Sequence, residues 1–219
     1  MSPDGSVVVE IYGEGKTDVG QSEKPEPPTK GVVPILVHTL CERPGHMLFR
    51  RHGMPFLQRQ KGTLPQKVRF AKRQARLNRS DGGVFVVDSE GDLKSRVRDL
   101  NKGRDMEPVA FPSAMGVAHA CIESWLLADA GAIRRGLELA AIPDVPNEPE
   151  SLPAPRKDRK NNAKVVLARI AGSPKGDLTA ERKWRIAAAM DDMPLVRQRC
   201  PLSFDPFAGE VDRHIRPLV

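Results

Sequence analysis

A chain of 219 residues with 35 Lys and Arg against 28 Asp and Glu has room for one domain with an appendage, and its net charge of +7 admits a polyanionic partner. No window approaches the roughly 18 uninterrupted apolar residues of a membrane span, so no membrane partner is expected. Met1 to Ser6 is neither basic nor followed by a leader-length apolar run, and Cys41, Cys121 and Cys200 are odd in number and far apart; the expectation is a cytoplasmic protein without a disulfide framework.

Val7-Val8-Val9-Glu10-Ile11-Tyr12 is a short run rich in β-branched residues that reads as a buried strand, and it breaks at Gly13 to deliver Glu14 and Asp18. Pro25, Pro27 and Pro28 forbid a helix in the polar stretch that follows, which reads as an extended loop. Gly31 to Glu42 suits a helix with Pro34 in its first turn, and Met47-Leu48-Phe49 a short strand. Pro65 to Arg79 is a clearer helix, with Val68, Ala71 and Ala75 on one stripe and Arg69, Lys72, Arg76 and Arg79 on another.

Val84 to Val87 forms a second buried strand and runs directly into Asp88-Ser89-Glu90-Gly91-Asp92. Leu93 to Lys102 reads as a charged helix, Glu107 to Phe111 as a strand cut by Pro112, and Ala118 to Ala130 as an apolar helix. A proline-rich loop over residues 143–155 precedes helices at Asn161 to Ala171 and at Thr179 to Met190, the latter capped by Thr179. Alternation of strands and helices predicts an α/β core with a mostly parallel sheet over residues 1–112, and residues 113–219 read as a helical extension packed on it.

Acids just past the ends of two buried strands stand where open α/β sheets place their chemistry. Glu14, Asp18, Asp88, Glu90 and Asp92 offer the oxygen donors that Mg²⁺ or Mn²⁺ requires, and metal ions so held stabilise the oxygens of phosphoryl transfer. The competing reading makes them turn formers and helix caps. Glu123, inside an apolar run, is costly unless paired or liganding. Gly15-Lys16-Thr17 is not a phosphate loop, because Glu10 occupies the position of the required glycine. From Met47 to Ser80 there is no acid at all, so Arg69, Lys72, Arg73, Arg76 and Arg79 form a candidate nucleic-acid face. Arg159, Lys160 and Lys164, in the basic run that begins at Arg156, form a second; a solvated surface is the plainer reading of each.

The first stretch, an apolar strand followed by Glu14-Gly15 and an acid four residues on, resembles the Toprim signature, and Asp88-Ser89-Glu90 resembles that fold's Asp-x-Asp motif. Ile122-Glu123-Ser124-Trp125-Leu126-Leu127-Ala128-Asp129 and Cys200-Pro201-Leu202-Ser203-Phe204 are similar to a family of small bacterial Toprim-like proteins, related to nucleases of the overcoming-lysogenization-defect type. Members are associated with ATPases of mobile-element or phage-defence character.

The resemblance implies that Glu14 and Asp18 match the first acidic motif and Asp88 the first Asp of the second, while Glu90 replaces its second Asp and leaves Asp92 as an alternative. The implied function is a Mg²⁺- or Mn²⁺-dependent nuclease acting on DNA through Glu14, Asp88 and Glu123, with an ATPase as a further expected partner and no membrane. An RNA-processing Toprim nuclease, and a non-catalytic subunit that docks nucleic acid or an ATPase, are the alternatives.

Overall fold

The computed structural model describes residues 5–52, 62–107, 109–173 and 177–219. Arg59 and Lys61 of the acid-free stretch lie outside the described residues. Strands β1 (Val7–Gly13), β2 (Ser22–Glu26), β3 (Met47–His52), β4 (Gly82–Asp88) and β5 (Ser113–Ala118) form one sheet in the order β2-β3-β1-β4-β5. The β3, β1, β4 and β5 strands are mutually parallel, and β2 runs antiparallel at the edge beside β3. This is the mostly parallel α/β sheet the alternating pattern predicts. The proline-bearing stretch expected as a loop contributes β2, because an edge strand tolerates Pro25 where an inner strand would lose a ladder bond.

Helices cover both faces. On one side α3 (Leu64–Leu77) and α4 (Leu93–Asp105) bury Val68, Ala71, Ala75 and Leu100 against Tyr12, Phe85, Val87, Met115 and Val117. Thr63 and Gln66 close a capping box at the start of α3, with Pro65 in its first turn, so its sequence-read start holds. On the other side α2 (Val32–Leu40), apolar nearly all round, packs beneath Val9 and Ile11 together with the C-terminal helices. A single turn, α1 (Lys16–Val19), links β1 to β2.

Three expectations are corrected. The boundary at residue 112 falls before β5, which pairs with β4 from Ser113 to Ala118, so the sheet extends into the segment read as a helical extension. The apolar run from Ala118 to Ala130 is not one helix: Ala118 ends β5, α5 is a short helix over Glu123–Leu126, and α6 begins at Ala130 and ends at Leu137. Only Ala118 of that run is strand; the rest is buried turn and short helix, and continuous burial leaves no period by which a long helix could be told from other buried backbone. The strand expected over Glu107 to Phe111 instead begins after Pro112.

Beyond these, α7 (Ala163–Ile170), α8 (Ala180–Ala189), α9 (Met193–Arg199) and α10 (Phe204–His214) complete the helical region. Thr179 caps α8, accepting from the Arg182 N–H. Trp125 is fully buried; its indole stacks on Phe207 at 5.2 Å and donates to Ser203 Oγ at 2.7 Å, tying α5 to α10. Among the described residues no helix is long and apolar enough to cross a membrane. Cys41, Cys121 and Cys200 are free and buried.

Candidate functional site

The chain leaves β1 towards β3 on one side and later crosses to β4 on the other, which opens a crevice at the carboxyl ends of β1 and β4. Gly13 lies opposite Val86, so Glu14 and Asp88 emerge from neighbouring strands within one residue of each other in register. The Asp88 backbone N–H donates to the Glu14 carboxylate, and Asp88 Oδ1 accepts from the Ile122 N–H at 3.1 Å. Asp18, in α1, folds its carboxylate back over Gly15, in the space that a Cβ on Gly15 would fill. Glu123, the first residue of α5, is 2% exposed. Its Oε1 accepts from Lys183 Nζ of α8 at 2.7 Å, the neighbouring Cys121 thiol also favours the ionised carboxylate, and its Oε2 is buried without a well-formed hydrogen bond.

The electrostatics bind these residues into one group. Burial raises the Glu14 carboxyl, opposed by Arg96. Burial, then the charge of Glu123, pushes Asp18 from its usual 3.8 up to about 6. Asp88 is raised well above the ordinary range by burial and by Asp18 and Glu123. Burial would raise Glu123 too, but Lys183 and Lys164 outweigh it and hold this carboxyl below its usual value. Both lysines are in turn raised: burial disfavours their charge, and the carboxylates, Glu123 foremost, more than offset it.

Glu14, Asp18, Asp88 and Glu123 crowd together against Lys164, Lys183 and Arg96, so the cluster is acid-rich when all are ionised. The buried Glu123 Oε2 and the all-oxygen donor set suit a hard ion in kind. Among the described residues, however, no three His, Cys, Asp or Glu side chains are already arranged to hold one. The donors fit Mg²⁺ or Mn²⁺ by chemistry, not as a preassembled cage.

Of the other sequence-derived candidates, Lys164 belongs to this group and Glu90 acts on Glu14 from its edge, while the rest stand apart. Glu90, at a positive φ of 49° in the turn after β4, pairs with Arg96 at 3.4 Å and Arg156 at 3.0 Å. Asp92 caps α4, accepting from the Ser95 N–H at 3.1 Å, as the helix-cap reading of the acidic run anticipates. On α3, Lys72 is buried and donates to the Arg104 carbonyl at 2.7 Å, which removes it from the expected basic face. Arg69, Arg73 and Arg76 gather around Glu107 at 3.6, 3.8 and 3.8 Å, while Arg79 is exposed just past the helix. Arg159 and Lys160 lie in an exposed turn organised by Asp158, which accepts from the Lys160 N–H at 2.7 Å.

Sequence reasoning singled out neither Lys183 nor Arg96. For Lys183 a signal exists: it shares the buried stripe of α8 with Ile186 and Ala187, and a lysine on an apolar stripe calls for a buried partner. Arg96 carries no comparable mark on the exposed, charged α4.

The fold and site thus define an α/β protein with a carboxylate and lysine cluster at the carboxyl edge of a parallel sheet. No family model, curated protein or solved structure matches the chain.

Proposed function

We propose that the crevice is the active site of a Mg²⁺- or Mn²⁺-dependent nuclease that cleaves phosphodiester bonds in DNA, of Toprim-like type. The observation that carries the reading is the buried Glu123 Oε2, which makes no well-formed hydrogen bond although Glu14, Asp18 and Asp88 share the same crevice. Glu14, Asp18, Asp88 and Glu123 would hold the ion, which supplies an activated water and offsets the charge that develops on the phosphate. Without a cation, Asp88 and Asp18 take up protons on their carboxylate oxygens more readily than ordinary acids. Lys183 fixes Glu123 through Oε1 and leaves Oε2 for the site. Lys164, partly exposed at the same cluster, is placed to bind a phosphate oxygen. A role as the effector of an ATPase-linked phage-defence system in the cytoplasm extends this reading.

The absence of a ready-made group of three metal-binding side chains among the described residues favours a second reading, a non-catalytic subunit that docks nucleic acid or an ATPase. The deciding experiment incubates the purified chain with supercoiled plasmid, linear duplex, single-stranded DNA and structured RNA, with Mn²⁺, with Mg²⁺ and with chelator. Metal-dependent cutting of DNA that Glu14→Gln and Asp88→Asn each abolish is the expected result. Cutting confined to RNA makes the chain an RNA-processing enzyme. Activity that survives chelator or both substitutions removes the site from the account, and binding without cleavage supports the docking subunit.

A further inference from the structure

The chain carries two basic surfaces, and they lie at opposite edges of the sheet. Glu107 stands in the connection from α4 back to the amino end of β5, so the arginines gathered on it, Arg69, Arg73 and Arg76, are held toward the amino edge. The acid cluster stands at the carboxyl edge, and β4, at 7 residues, separates the two edges by about 20 Å.

The second set stands at the cluster itself. Arg96, on the first turns of α4, is the strongest attractive influence on the Glu14 carboxylate and also pairs with Glu90. Arg156 reaches the other oxygen of Glu90 from the loop before α7, with its side chain 77% exposed. The Lys157 side chain lies over Gly91, its Nζ 3.7 Å from where a Cβ on that glycine would stand. Lys164 completes the set from α7, coupled to Glu123, Asp88 and Asp18. One carboxylate, Glu90, therefore holds two guanidinium groups side by side at the mouth of the crevice, and the four cations come from two stretches separate in sequence, Arg96 on α4 and the run from Arg156 to Lys164.

Resting on the phosphodiester reading above, we infer that the DNA backbone crosses this rim, over Arg96, Arg156 and Lys157, and does not run along α3. Guanidinium groups suit phosphates through paired N–H donors, and cations at the mouth offset the repulsion that the acids would exert on an approaching strand. Glu90 then serves as the clamp that spaces the two arginines. The arginines of α3 hold the turn at Glu107.

The test is fluorescence anisotropy of a labelled DNA duplex and its single strand, in chelator so that nothing is cut, over a series of salt concentrations. Three proteins are compared: wild type, an Arg96→Ala/Arg156→Ala/Lys157→Ala variant, and an Arg69→Ala/Arg73→Ala/Arg76→Ala variant. On duplex, the rim variant is expected to lose about 0.9 in the slope of log affinity against log salt for each phosphate contact removed. The α3 variant is expected to keep the wild-type slope while melting at a lower temperature, because Glu107 loses its partners. Should that variant not fold, Arg73→Ala/Arg79→Ala, at exposed positions, tests the same face and is expected to keep the slope. A wild-type slope in the rim variant, or a slope flattened by the α3 changes, overturns the inference and leaves the nuclease reading standing. Wild type that binds neither strand overturns both.

Discussion

Lys183 and Glu123 show how a buried ion pair can be necessary without being a source of net stability. Their side chains are 6% and 2% exposed, the ammonium is 2.7 Å from Oε1, and Asp177 adds a second carboxylate at 3.3 Å. Desolvating both partners costs much of what their attraction returns, but removing one leaves a buried charge with nothing to oppose it. Lys183→Met is therefore expected to destabilise the chain by about 3–5 kcal/mol. Adding Glu123→Gln should recover most of that loss, since the remaining amide carries no charge. Urea unfolding midpoints of the two variants check this, and a double variant no more stable than the single one would refute it. Glu123 was legible in the sequence as an acid in an apolar run. What was not legible was its partner, which lies 60 residues away and whose position depends on how α8 folds onto α5.

At the scale of elements, α8 holds both halves of the site. Beside Lys183 on that helix, Trp184 donates from its indole N–H to the Thr17 carbonyl at 2.6 Å, within the single turn that carries Asp18. A helix of four residues has little stability of its own, so this turn depends on what it is docked against. Trp184→Phe keeps most of the ring packing and removes the donor. The expected cost is about 1 kcal/mol of stability, together with weaker Mn²⁺ binding in calorimetric titration as Asp18 loses its fixed place. Unchanged heats in Trp184→Phe would confine this residue to packing. The strong helices, α3 and α8, were readable because their caps and stripes are local. The β2 and β5 strands were not, because Pro25 is tolerated only through its edge position, and the run after Ser113 reveals itself as a strand only by pairing with β4.

Across the whole molecule, two buried polar centres respond to pH in opposite senses. Under α3, Glu10 is completely buried and accepts from Arg50 at 2.5 Å, Ser80 at 2.8 Å and Asn78 at 3.0 Å, with His52 against its other oxygen. Burial alone would raise this carboxyl, but His52, Asn78 and Arg50 bring it from 4.5 down to about 2. Its contribution to stability is present above its unfolded value and disappears as pH falls through about 2. The acid cluster has the reverse sign. Asp18 is raised to about 6 and Asp88 well above its usual value, so both bind protons more tightly folded than unfolded, and that contribution disappears as pH rises through their folded values. The shift of Asp18, from 3.8 to about 6, corresponds to roughly 3 kcal/mol. In chelator, the thermal midpoint should therefore peak near about pH 5, between the two ranges, and fall on either side. A cation bound by the four carboxylates replaces the protons they lack at neutral pH, so saturating Mn²⁺ should raise the midpoint most on the alkaline side, by about 2.7 kcal/mol of stability at a hundredfold excess over Kd. Asp18→Asn should flatten the alkaline fall in chelator and weaken the Mn²⁺ response. Melting curves across the pH range, with and without the ion, read both effects. A midpoint that climbs steadily toward alkaline pH in chelator, or ignores Mn²⁺ there, would show that the cluster is neutralised by its own lysines and holds no cation.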